Sequence, residues 1–176
     1  MQASSPQKTL LFIFLFIFIC YSVKTFADTK TITLNYNEND ISYYTQDNFD
    51  IISLPEFSHL SDSLLAGEPM MSVGTIRVLL PFGMEVSSVR IISTVETTLK
   101  GEYYIFPIQY PKIIGDENGE FVEPKEEIYS SEENYPGKLA EFFYQGYFRE
   151  YNIAEILVYP IQYVPAHREI RTIKLL

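Results

Sequence analysis

Residues 151–176 read YNIAEILVYPIQYVPAHREIRTIKLL, a stretch in which proline interrupts what is otherwise strand composition. YNIAEILVYPIQY and REIRTIKLL are rich in Ile, Val and Tyr, the residues that suit a pleated, half-buried surface, and both are strand candidates. Pro160 has no N–H to give to a ladder, so it belongs on an edge strand, at a strand start or at a bulge. The same tetrapeptide, Pro-Ile-Gln-Tyr, occurs 53 residues earlier at Pro107 in YYIFPIQYPKI. In each copy strict alternation turns Ile and Tyr to one side and Pro and Gln to the other. Each copy follows a proline–glycine turn, Pro81–Gly83 and Pro136–Gly137, but nothing else aligns, and a repeat architecture wants three copies. The echo therefore reads as two equivalent edge strands of one fold.

Outward from this stretch, the period of two persists. TITLNYN places Ile32, Leu34 and Tyr36 on one face, TIRVLLP does so with Ile76, Val78 and Leu80, and VSSVRIISTVETTL (86–99) is dense in β-branched residues. Turn chemistry separates them at AGEP (66–69), PFG (81–83), KG (100–101) and YPG (135–137). The expected class is all-β, an antiparallel β-sandwich of jelly-roll-like character with at most one short helix. GKLAEFFYQGYF is ambiguous: Leu139, Phe142, Phe143 and Tyr147 fall at helical spacing, yet the aromatic content suits a strand, and Gly146 weakens a helix by about 1 kcal/mol.

Residues 1–27 stand apart. Lys8 precedes the apolar run Leu10–Cys20, and small residues follow at Thr25 and Ala27, the pattern of a secretory signal cleaved after Ala27. Eleven apolar residues are too few to cross about 30 Å of hydrocarbon, and Ile19 before Cys20 argues against a lipoprotein cleavage there. The expectation is an exported chain, periplasmic or extracellular. Removal of this segment takes away Lys8 and Lys24 and leaves 11 basic side chains against 23 acidic, a net charge of −12. Such a surface repels nucleic acid and anionic membranes. Cys20, the only cysteine, leaves with the signal, so the remainder has neither a disulfide nor a thiol nucleophile.

No catalytic constellation stands out. His59 and His167 lack partner sets and read as surface residues, there is no GxSxG elbow and no glycine-rich phosphate loop, and no cofactor or metal is implied. GDENGEFVEPKEEIYSSEEN (115–134) holds eight acidic residues against Lys125 alone, which reads as a long exposed loop or hairpin. DENGE matches part of a calcium loop, but the alternating ligands and closing Glu are missing.

Three stretches in order, ISLPEFSHLSDSLLAGEPMMSVGTIRVLLPFGMEVSSVRI, YYIFPIQYP and NYPGKLAEFFYQGYFREYNIAEILVYPIQYVPAHREI, resemble the N-terminal propeptides of gingipain-like cysteine peptidases. The matching features are Gly67-Glu68-Pro69, Leu80-Pro81-x-Gly83, Pro107, Tyr135-Pro136-Gly137, Gly146 with Arg149, and the closing strand through Pro160, Tyr163 and Pro165. The likeness divides the chain into a signal (1–27), an N-terminal strand segment (28–47) and a propeptide domain (48–176). It implies a β-sandwich that assists folding of a caspase-like cysteine peptidase domain and keeps it latent, in cis or in trans, by laying a loop across the active-site cleft. By the same resemblance the loop's cation enters the specificity pocket, which makes Lys125, with Lys112 before it, the candidate inhibitory residues. Arg168, Arg171 and Lys174 are the candidate maturation sites. A His/Cys catalytic domain is expected to follow, so the sequence ending at Leu176 reads as part of a longer precursor or as a prodomain acting in trans. The alternative is a secreted β-sandwich module that binds carbohydrate or a surface protein through the aromatics of EFFYQGYF.

Overall fold

The computed structural model describes residues 28–36, 38–60, 62–111 and 120–175. The chain divides into two compact units, Met1–Ile32 and Thr33–Leu176. The described part of the first, residues 28–32, has no regular structure, and everything below concerns the second. Ala27 and Lys112 lie outside the described residues.

The regular structure of the second unit is mostly antiparallel sheet. Strands β1 (Ser42–Gln46) and β2 (Phe49–Ser53) form a hairpin whose turn residues Asp47 and Asn48 have φ of 52° and 68°. Two successive left-handed residues match the twist of the strands they join, which is why Asp and Asn occupy this turn. The propeptide boundary drawn from the sequence, between residues 47 and 48, falls inside this hairpin.

A four-stranded sheet has the order β3 (Ser58–His59), β4 (Ser72–Leu80), β7 (Tyr151–Val158), β6 (Ala140–Phe148). A three-stranded sheet has the order β5 (Thr94–Thr98), β9 (Glu169–Leu175), β8 (Ile161–Val164). A single four-residue α-helix, α1 (Glu126–Tyr129), and three one-turn 3-10 segments complete the regular structure among the described residues. The expected all-β sandwich with one short helix is what the chain forms.

The core explains the pairing of the layers. Val158 of β7 packs against Ile173 and Leu175 of β9, with Ile76 and Ile156 at the margin, so the inner face of the larger sheet closes on the smaller one. A second cluster joins Ile52 and Leu54 to Met71, Tyr103, Ile105, Ile161, Tyr163 and Ile170. Each such side chain contributes roughly 1.5–3 kcal/mol on burial. Both Pro-Ile-Gln-Tyr copies feed this one cluster, through Ile105 and Tyr103 upstream of Pro107 and through Ile161 and Tyr163 after Pro160.

Several sequence expectations are corrected. The first Pro-Ile-Gln-Tyr copy is not a ladder strand: it is held by isolated bridges, Asp50 to Ile105 and Pro69 to Pro107, because proline breaks the run of donors. Nor does it alternate, since Pro107 and Ile108 are both buried while Tyr110 is 62% exposed. The second copy is buried at all four positions, and β8 lies at the sheet edge directly after Pro160. Among the described residues of TITLNYN, Leu34 alone bridges, to Leu175, and of 86–99 only Thr94–Thr98 joins a ladder. β-Branched composition alone does not make a strand where no neighbouring backbone is available to pair with it.

The ambiguous segment is strand β6, and a bulge between Phe142 and Tyr144 accounts for its apparent helical spacing, since one extra residue shifts the alternation. Gly146 leaves room for the Tyr144 ring, which occupies the space a side chain there would fill. Gly74 does the same on β4: an added Cβ would collide with the Phe57 ring. Gly74→Val is therefore expected to lower stability by about 1–3 kcal/mol, read as a reduced urea midpoint with unchanged slope.

Candidate functional site

The acidic segment was expected to be exposed throughout. Its described part, residues 120–134, is instead fastened to the body because its few apolar residues find partners there. The Phe121 ring lies 5.7 Å from Phe49 and 5.9 Å from Phe106. Tyr129 donates its hydroxyl to the Ile105 carbonyl at 2.7 Å and packs edge-on against Tyr104 and Tyr163. The exposed positions of α1 are Glu126 and Glu127, placed where the helix N-terminus tolerates negative charge.

The anchor for both ends of this excursion is the Gly67-Glu68-Pro69 turn. The Gly67 N–H donates to the Ile108 carbonyl, the Ile108 N–H donates to the Glu68 carbonyl, and the Lys125 N–H donates to the Gly67 carbonyl, at 2.8, 2.8 and 2.9 Å. The chain thus leaves the body at Ile108 and returns at Lys125, tied at both points to one turn. Gln109 links the two arms: its Oε1 accepts from the Val122 N–H at 2.8 Å, and its Nε2 donates to the Val122 carbonyl at 3.0 Å. Gln162, its equivalent in the second copy, does likewise for another loop, accepting from the Gly137 N–H and donating to the Lys138 carbonyl.

Gly67 has φ of +86°, and a Cβ there would sit 3.0 Å from the Glu123 carbonyl oxygen and 3.1 Å from Lys125 Cγ. Glycine is needed both for the left-handed backbone and for this approach. Gly67→Ala is expected to cost about 1–3 kcal/mol and to loosen residues 122–125, visible as faster amide exchange there than in β7.

Glu68 completes the anchor. One carboxylate oxygen accepts from Lys125 Nζ at 2.8 Å and the other from the Tyr135 hydroxyl at 2.9 Å, with the Glu68 side chain only 16% exposed. Burial, and then the hydrogen bond to Glu68, push the Tyr135 hydroxyl well above the usual tyrosine range. Burial likewise raises Tyr129, and raises Tyr163 to about 12. These phenols act here as neutral donors.

The remaining sequence candidates lie apart from the anchor. Arg168 has φ of 52° and caps the β8–β9 turn, its guanidinium 4.9 Å from the Tyr104 ring centroid. Arg171 and Lys174 are on β9, the central strand of its sheet, and Arg171 pairs with Glu169 at 2.6 Å and Glu96 at 3.5 Å. His167 is exposed, whereas His59 is half-buried, with Nε2 3.0 Å from the Ile52 carbonyl and 3.2 Å from Ser53 Oγ. Among the described residues no cluster of His, Cys, Asp or Glu is arranged to hold a metal. No helix among the described residues is long and apolar enough to cross a membrane. Sequence reasoning missed Glu68 and Gln109 as anchor residues, although each sits within a motif that it singled out.

The Propeptide_C25 profile matches residues 29–175. The chain belongs to the gingipain-like C25 peptidase propeptide family. Two solved structures share the fold of this propeptide. One is a complex of the Porphyromonas gingivalis RgpB pro- and mature domains, 14% identical, with a TM-score of 0.61, covering 76% of this chain and 68% of that one. The other is a structure addressing the zymogenic latency of gingipain K from P. gingivalis, 19% identical, with a TM-score of 0.60, covering 77% and 75%. No curated protein matches the propeptide.

Proposed function

We propose that this propeptide is the pro-region of an exported gingipain-like cysteine peptidase precursor, assisting the folding of a caspase-like catalytic domain and holding it latent by laying the excursion between Ile108 and Lys125 across its cleft. The observation that carries the reading is the double tie of that excursion to the Gly67-Glu68 turn, which supports an extended contact on a rigid platform. A structural relative is described as a pro-domain complexed with a mature peptidase domain, which supports the same partner here. The net charge of −12 after signal removal steers association toward a complementary patch.

Of the two candidate cations, Lys125 is paired with Glu68 at the base of the excursion, which favours Lys112 as the residue offered to the partner. Residues 28–175 added in trans to a gingipain-like peptidase should give slow-binding inhibition. Lys112→Ala should weaken it at least tenfold, about 1.4 kcal/mol, and Lys125→Ala by less. No inhibition by the unaltered chain overturns the reading, and equal inhibition by all three removes the cation from it.

For maturation, the cut is assigned to Arg168 before Arg171 or Lys174, because β9 pairs on both sides and a protease needs an extended strand it can withdraw. Trypsin on the native chain should therefore give no peptides ending at Arg171 or Lys174 until urea is added, as followed by mass spectrometry. Peptides ending at either residue without urea would refute this order.

A second reading, a carbohydrate- or protein-binding module, is favoured by the outer face of the larger sheet. The register places Leu79, Tyr144, Phe148 and Tyr151 on that face, 54, 57, 65 and 48% exposed. Serine at positions 144 and 148 should leave peptidase inhibition intact under the first reading, and should abolish polysaccharide retention under the second.

A further inference from the structure

We infer that Glu68 is a positioning residue for the latency contact, acting as a clamp that fixes where the excursion leaves and rejoins the body. The inference rests on the pro-region reading above and concerns residues that themselves need not touch the peptidase. The Glu68 carboxylate reaches two points of the returning chain, Lys125 through Oε1 and Tyr135 through Oε2. Its own carbonyl accepts from Ile108 on the departing arm. Departing arm, returning arm and the strap that follows α1 thus meet at one side chain and its peptide group. Gln109 closes the ring by holding Val122 through both its N–H and its carbonyl.

The physical effect is preorganisation. A segment that spans a partner's cleft must be ordered when it binds, and an excursion pinned at both feet has fewer conformations to lose than one with free feet. The carboxylate suits this role because its charge-assisted bonds to Lys125 and Tyr135 are stronger than neutral ones, and its own side chain is only 16% exposed. Tyr135 adds a rigid strut, since its N–H donates to the Tyr163 carbonyl and its carbonyl accepts from the Tyr163 N–H, at 2.7 and 2.8 Å. A loosened clamp leaves the sandwich intact, because neither Lys125 nor Glu68 belongs to the buried clusters.

The test uses residues 28–175 with Glu68→Ala and with Glu68→Gln, the latter keeping an acceptor for Tyr135 but no charge for Lys125. In the free chain, Glu68→Ala should speed exchange of the Val122 and Lys125 amides at least tenfold while β7 and β9 amides keep their rates. Unchanged rates at 122 and 125, or acceleration shared with β7 and β9, overturns the clamp whatever happens to inhibition. In the inhibition assay, Glu68→Ala should weaken binding about tenfold and Glu68→Gln by less. That loss should vanish when residues 111–120 are replaced by a short Gly–Ser link, because a positioning effect needs the excursion it positions. An equal loss in both backgrounds assigns Glu68 to the body and overturns the proposal. If the unaltered chain does not inhibit, the pro-region reading falls, and amide exchange still decides the clamp.

Discussion

Tyr163→Ala is expected to leave the chain largely unfolded at 37 °C. The side chain is fully buried, its hydroxyl donates to the Tyr103 carbonyl at 2.9 Å, and its ring packs edge-on against Tyr129. Truncating a buried aromatic costs about 3–5 kcal/mol through lost contacts and the cavity left behind, against a total stability of about 5–15 kcal/mol. Tyr163→Phe separates the two contributions: it keeps the ring but leaves a buried carbonyl without its donor, for about 1–3 kcal/mol. Urea unfolding followed by far-ultraviolet circular dichroism measures both, and a Tyr163→Ala loss no larger than that of Tyr163→Phe would show that the ring is not a keystone.

The second large effect is alkaline. Tyr163 is raised to about 12 by burial, and Tyr129 and Tyr135 are raised further by burial, with the Glu68 hydrogen bond adding to the effect at Tyr135. In the unfolded chain these phenols titrate near pH 10. The folded state therefore holds their protons more tightly, so their contribution is complete below about pH 10 and is lost as pH rises through 12. Stability should be flat toward neutral pH on this account and fall steeply between pH 10 and 12. The share of the tyrosinate absorbance near 295 nm that belongs to Tyr129, Tyr135 and Tyr163 should appear only with loss of structure. A single phase centred near 10 with the fold retained would contradict the burial of these hydroxyls.

Much of the architecture was legible because it depends on local chemistry. Ile161 and Tyr163 belong to a strand by composition, Pro160 marks where that strand begins, and Gly67 and Gly137 mark turns whose φ values, +86° and +76°, favour glycine. What stayed hidden depends on distant partners. Nothing in ETT or SSV distinguishes residues 94–98, which pair with β9, from residues 86–93, which join no strand ladder. The acidic segment looked solvated because charge dominates its composition, yet three side chains, Phe121, Lys125 and Tyr129, suffice to moor it. Glu68 was visible only as the middle of a turn motif, since its role depends on a lysine 57 residues away and a tyrosine 67 residues away. The bulge in β6 misled for a geometric reason: one extra residue turns a period of two into spacing that resembles a helix.

The placement of β9 has a consequence for the order of events during synthesis. The last strand of the domain is the middle strand of its sheet, flanked by β5 and β8, and its Leu175 bridges back to Leu34 near the start. A ribosome working from the N-terminus delivers both flanking strands before the one that joins them, so the sandwich cannot close until residue 175 has emerged.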